Sequence, residues 1–301
     1  MGLDDQDREW LDAPDLAAAR ERFGRSTSRY LAIAGVDLHL LDEGPRSADR
    51  SILLLSAQWL GVSQGDRWAP AFTDRYRVVR VDLPGQGLSG PFPHDDYSAR
   101  AYADLIASLI AALGLGDHVV VGTSFSGIAA TLYAATRPAG LIGLVLATSS
   151  GLPRSAADPV PGAPPPDPIL ADMRDGRRPR RFYDWKLGTL LRRPAAADVT
   201  ARRVDEAHVL NELPGRAAEA QARVARYDPT ELSRALPGVA VPLLVQWSSG
   251  STYLPPAMAE RIAALAPNSA GVHHYPDTGH LLLLDAPEEC ARDLLAFVER
   301  L

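Results

Sequence analysis

The chain contains a single cysteine, Cys290, in 301 residues, so it can form neither an internal disulfide nor a cysteine-built metal cluster. The place of Cys290 in a C-terminal helical stripe gives it a packing role. No apolar run approaches the roughly 20 residues that a membrane-crossing helix needs. The start, Met1-Gly2-Leu3-Asp4-Asp5, lacks the positive charge and apolar stretch of a secretory signal. A cytoplasmic protein with no membrane partner is the expectation. Positive charge is not in excess: 31 Lys and Arg stand against 37 Asp and Glu, a formal charge of -6. Nucleic acid, whose binding rests on clustered cations that displace counterions, is therefore not an expected partner. Also missing are an HExxH pair, a phosphate-cradling glycine loop and a dinucleotide fingerprint. Gly85-Gln86-Gly87 is too short to be one, so no cofactor and no metal are expected.

What is present is apolar material, 46% of the residues, arranged as strand-length runs between amphipathic stretches. That alternation predicts an α/β fold, a mostly parallel sheet with helices on both faces. Residues 52–55, 78–81, 118–121, 141–146 and 241–245 read as buried strands, apolar on both faces. Tyr102, Leu105, Ile106, Leu109, Ile110 and Leu113 share one face of a helix, as do Cys290, Leu294, Phe297, Val298 and Leu301. Asp285 and Glu288 fit the N-cap and reciprocal partner of that last helix. From Gly151 to Pro237 the rhythm breaks. This segment opens with a proline-rich run, 159–166, expected to be an extended, mobile connector. It reads as an insertion, so the core covers 1–150 and 238–301 and the cap 151–237. No internal repeat is visible.

Gly122-Thr123-Ser124-Phe125-Ser126-Gly127 follows one strand and precedes a helix, the setting of a nucleophile elbow. The turn holds its serine in a strained conformation and brings helix close to strand, so its neighbours must be small. Gly122 and Ser126 occupy those positions, although the latter is more often glycine.

Together with Asp82-Leu83-Pro84-Gly85-Gln86-Gly87-Leu88-Ser89 and Pro276-Asp277-Thr278-Gly279-His280, the elbow resembles the α/β-hydrolase superfamily over about Tyr30 to Leu301. The resemblance implies an eight-stranded sheet, a lid inserted after the sixth strand and an active site at the C-terminal strand ends. It also implies that His280 is the catalytic base, suited by a pKa near neutrality to take the serine proton and return it. The oxyanion would be held by the amides of Gln58 and Phe125. His273 and His274, adjacent in a strand, point to opposite faces and match no motif.

The chain departs from the family in three places. The loop after the seventh strand, 246–255, contains no carboxylate, and the usual acid position aligns with Ser251, which is suited to orient the imidazole without neutralising it. The other known acid location reads Ala147-Thr148-Ser149-Ser150. Asp277 and Asp82 are the candidate substitutes. Where the family has His-Gly beside the oxyanion, this chain has Ser56-Ala57. Loss of the acid costs serine hydrolases roughly 10⁴-fold, or about 5 to 6 kcal/mol.

Arg177-Arg178-Pro179-Arg180-Arg181 precedes an aromatic patch, Phe182-Tyr183-Asp184-Trp185-Lys186. Solvation explains such a run. Functionally it would offer arginine to a carboxylate, a coenzyme A thioester or an acidic carrier protein. Trp59, Phe125, Trp247 and Tyr253, on loops edging the site, and Trp185 predict an apolar pocket for a bulky hydrophobic or aromatic small molecule. Three readings follow. The first is Ser124/His280 attack on an ester, thioester or activated carbonyl, in specialised metabolism among other settings. The second is non-hydrolytic chemistry with His280 as base: a cofactor-independent oxygenase, a lyase or a carbon-carbon bond-forming enzyme. The third is a ligand-binding protein without turnover.

Overall fold

The computed structural model describes residues 15–301 apart from 156–157, 159–163, 174–176 and 194–196. Eight strands, β1 (Ser28–Ile33), β2 (Val36–Glu43), β3 (Arg50–Leu55), β4 (Arg77–Val81), β5 (Asp117–Thr123), β6 (Leu141–Ala147), β7 (Leu243–Ser248) and β8 (Ser269–Tyr275), form one sheet in the order β1-β2-β4-β3-β5-β6-β7-β8. β1/β2 and β2/β4 pair antiparallel, and all other pairs are parallel. β3 crosses to β4 on one side, while β5 and its successors lie on the other. The C-terminal ends of β3 and β5 therefore flank the switch in strand order, where parallel sheets open a crevice.

The alternation along each strand separates two cores. On one face Leu53, Val79, Val120 and Leu144 pack with α2 (Ala99–Leu113), α3 (Ser126–Ala135) and α9 (Ala257–Leu265). On the other, Ile52, Leu54, Val119 and Val121 meet Trp68, Phe72 and α11 (Pro287–Val298). Burial on both faces is why these strands are continuous apolar runs rather than alternating ones. α2 starts at Ser98, whose hydroxyl accepts from Ala101 N, and stops at Gly114 with φ 59°, where glycine adopts a left-handed conformation without steric cost. Cys290 is fully buried on α11.

Two sequence expectations require correction. α11 begins with Pro287 after Ala286 as cap. Asp285 ends the preceding short helix, α10 (Leu282–Asp285); its carboxylate is engaged elsewhere, and proline, with no N–H to lose, starts the helix instead. β7 begins two residues later than expected and runs to Ser248, which puts Trp247 inside a strand. There it is fully buried in the first core, because its side of the strand faces α9 rather than the loop edge.

Helix α1 (Leu16–Phe23) precedes the sheet, and between β6 and β7 run α4 (Asp167–Asp172), α5 (Arg180–Leu190), α6 (Ala197–Asn211), α7 (Arg216–Ala225) and α8 (Glu231–Ala235). The expected connector at 159–163 lies outside the described residues, and Pro166 enters α4 in an extended conformation. Phe182, Tyr183, Leu187 and Leu190 of α5 are buried with Ala57, Leu60 and Leu281, residues of the loops after β3 and β8. α4, α5 and α6 therefore pack over the loops at the C-terminal ends of β3 and β8.

Candidate active site

Ser124 leaves β5 with φ 52°, a left-handed conformation that costs a non-glycine residue about 1 to 3 kcal/mol. Local hydrogen bonds hold it there. Ser124 N donates to Ala147 O, and its own carbonyl accepts from Gly127 N and Ser150 N at 3.3, 3.2 and 3.1 Å respectively. The departure at Ser126 has a physical reason: its hydroxyl accepts from Thr123 N at 2.9 Å and contacts Thr123 O and Leu55 O at 2.8 and 3.2 Å, tying the turn to β3. Space is scarce here. A Cβ on Gly122 would lie 2.6 Å from Gly127 Cα, and one on Gly127 would lie 2.0 Å from Ser149 Oγ.

His280 follows β8 through a turn fixed at several points. Thr278 O accepts from Ser248 Oγ at 2.6 Å and Gly250 N at 2.9 Å, and Gly279 N donates to Asp285 Oδ2 at 2.5 Å. The Asp285 carboxylate also takes Arg192 N at 2.9 Å and Arg193 N at 3.0 Å, so it joins this turn to the segment after α5. The turn delivers His280 Nε2 to 3.0 Å from Ser124 Oγ. Burial, and then the charge of Lys186, push the imidazole down to about 4, so it is neutral at physiological pH.

On the other ring nitrogen, Ser251 Oγ lies 3.5 Å from Nδ1. That hydroxyl already accepts from Tyr253 N and Leu254 N at 3.3 and 3.2 Å. With both lone pairs taken, its proton is the group left for Nδ1. A carboxylate, in contrast, only accepts. Neither candidate substitute occupies the position. Asp82 is buried and takes His39 Nδ1 at 2.7 Å, Val62 N at 2.7 Å and Leu88 N at 2.9 Å, while Asp277 is exposed with φ 53°. His273 and His274 lie apart from the site, beside Asp293 and Glu260 respectively.

Phe125 caps α3, and Gln58 follows β3; among the described residues no hydrogen bond engages either amide. Trp59, next in that loop, has φ 89° and gives its carbonyl to Asn211 Nδ2 at 3.0 Å. Its ring meets Phe182 and Tyr183 at centroid distances of 6.1 and 5.9 Å. Ala57 joins this cluster, whereas Ser56 is buried beneath it beside Gln86. Trp185 and Tyr253 are partly buried at its edge.

Arg180 of the basic run pairs with Asp205, Arg181 with Asp172, and Arg178 lies 3.7 Å from Glu212 and 5.6 Å from the Trp59 ring. Two cations near the site were not singled out from the sequence. Lys186 Nζ donates to Tyr253 Oη at 2.5 Å. Arg223, buried on α7, lies 5.8 Å over the Phe125 ring, and among the described residues its Nη1 has no hydrogen-bond partner. No local pattern marks Arg223, but Lys186 had a compositional signal, being the only lysine in the chain.

Comparison with known proteins agrees with this fold. A model of the alpha/beta hydrolase family matches residues 51–293. The polyketide synthase ThaQ of Burkholderia thailandensis is 29% identical over 238 residues, which are 76% of this chain but 11% of that protein. The bifunctional esterase/perhydrolase DCH of Acinetobacter calcoaceticus is 25% identical over 275 residues, 88% of this chain and 96% of that one. A membrane phospholipase A, a bacterial virulence factor, has the same fold, with a TM-score of 0.74 at 23% identity over 94% of this chain and 88% of its own. With the matched span and the eight-stranded sheet in agreement, the chain belongs to the alpha/beta hydrolase family.

Proposed function

We propose that the protein is a Ser124-dependent acyl-transfer enzyme that opens an ester or thioester of a bulky apolar molecule, with the β6–β7 insertion as its cap. The observation that carries this reading is the 3.0 Å approach of His280 Nε2 to Ser124 Oγ. At that distance a neutral imidazole takes the hydroxyl proton as Oγ attacks the acyl carbon, and returns it to the leaving group. The Gln58 and Phe125 amides would receive the oxyanion, Phe125 with the added field of the α3 N-terminus. Trp59, Trp185 and Tyr253 form the apolar wall. The esterase/perhydrolase relative supports the class of reaction.

A donor on Nδ1 makes this a slow enzyme on simple esters. It favours the tautomer with the proton on Nε2, whereas attack needs that nitrogen's lone pair. A fluorophosphonate is expected to add once to the wild type, seen by intact mass, and not to Ser124→Ala. A folded wild type that never labels contradicts the reading.

The same missing carboxylate supports a second reading, in which His280 deprotonates the substrate itself and Ser124 is a bystander, with no acyl-enzyme formed. Loss of activity in His280→Ala, with most activity kept in Ser124→Ala, would select it.

A further inference from the structure

Thirty of the chain's 31 basic residues are arginine, and the one lysine is Lys186. It stands on α5 with Nζ 4.4 Å from the Tyr253 ring centroid and 5.7 Å from those of Trp59 and Trp185. Tyr253 packs on His280 with ring centroids 5.6 Å apart, and Trp59 follows Gln58. The ammonium thus sits between the loop after β7, whose Tyr253 packs on the base, and the loop proposed to hold the oxyanion. Its hydrogen-bond partner is a phenol, which accepts without neutralising, and among the described residues no carboxylate pairs with it. Arg178, on the same aromatic cluster, has Glu212.

An uncompensated cation beside a general base works against the base. It resists the imidazolium that forms as Ser124 attacks. That penalty is offset if negative charge arrives with the substrate. Resting on the acyl-transfer reading above, we propose that Lys186 is a specificity-determining residue that binds a carboxylate carried by the substrate. Once bound, that carboxylate supplies the negative charge near His280 that position 251 lacks.

The substrate class is then a half-ester or half-thioester of a dicarboxylic acid with an apolar spacer. A carboxylate fits better than a phosphate dianion, because a single ammonium whose described partner is a neutral phenol balances a single charge. As Oγ bonds to the acyl carbon, the carbonyl π pair moves to oxygen and the Oγ proton passes to Nε2. The imidazolium then faces an ammonium-carboxylate pair instead of a bare ammonium. Collapse expels the alkoxide or thiolate, which takes the proton.

The test compares mono(4-nitrophenyl) adipate with 4-nitrophenyl hexanoate, equal in chain length and different in charge. The wild type should prefer the charged ester in kcat/KM by about tenfold or more, as expected of a desolvated charge-assisted contact. Lys186→Met should erase that preference, chiefly through KM of the charged ester, and Lys186→Arg should keep much of it. His280 meets Ser124, Ser251 and Tyr253, with Lys186 on the Tyr253 ring behind them. Removing the only cation among them should therefore move the acid limb for the hexanoate to higher pH.

A fall of both esters together in Lys186→Met, with the ratio and pH limb unmoved, describes a packing role and overturns the proposal. If folded wild type hydrolyses neither ester, the acyl-transfer reading falls, and binding decides the fate of Lys186. Adipate quenching of tryptophan fluorescence that weakens about tenfold in Lys186→Met upholds the carboxylate site. Equal affinity in the two proteins refutes it.

Discussion

His280 has a hydroxyl on each side, Ser124 on Nε2 and Ser251 on Nδ1, and the second decides how readily it can serve the first. Ser251 Oγ takes two amides and has only a proton to offer. An acceptor in its place would hold the proton on Nδ1 and free Nε2. Ser251→Asp is therefore expected to speed fluorophosphonate labelling about tenfold or more, a fraction of the roughly 10⁴ that an acid contributes in complete triads. An unchanged rate in a protein of wild-type melting temperature would contradict this. The imidazole must be neutral to accept a proton, so wild-type labelling should hold steady as pH falls and drop only near the depressed value of about 4. In Ser251→Asp the drop should come at higher pH, because a carboxylate favours the imidazolium. Ser124, His280 and the lack of an acid after β7 were all legible in the sequence, since each belongs to a local motif. Trp247 and Arg223 were not, because their surroundings are set by distant helices.

Among the elements, α10 does more than its four residues suggest. Its last residue, Asp285, gathers the amides of Gly279, Arg192 and Arg193. It thereby anchors the His280 turn and the exit from α5 to one carboxylate. Leu190 O strengthens the joint by accepting from Leu281 N at 3.2 Å. Asp285→Ala leaves three amides without that acceptor, at about 1 to 3 kcal/mol for each one that stays buried. A melting temperature lower by several degrees and slower Ser124 labelling are expected together. Loss of one without the other would separate the anchor from the site. Periodicity revealed the helix after Asp285 but not its start. An acidic residue three places before a glutamate looks like a cap whether its carboxylate turns toward its own helix or toward another chain segment.

For the whole molecule, the contact of insertion with core carries a pH dependence of its own. Glu206 on α6 borders a cavity of about 430 Å³ with Arg25, Asp66 and Arg203. Burial, opposed by Arg25 and reinforced by Asp66, raises it to about 7. A carboxyl whose folded value exceeds its unfolded one stabilises fully below the unfolded value near 4.5 and ceases to do so as pH rises through 7. The loss amounts to about 3 kcal/mol. Glu206→Gln should gain on the wild type in melting temperature between pH 5 and 8, and parallel curves would refute the assignment.

By itself the sequence determined the parallel core, since strands covered on both faces must be apolar throughout. It also determined the elbow, because its turn admits only small neighbours. β1 and β2 escaped a residue-by-residue reading: β1 is partly exposed along most of its length, so its apolar signal is weak. Tertiary structure alone decided which further groups reach the Ser124/His280 pair. The place of Lys186 against Tyr253 and of Asp285 under the turn that carries His280 depends on how α5 and the loops after β7 and β8 dock, and contacts between segments so far apart in the chain leave no periodic trace along it.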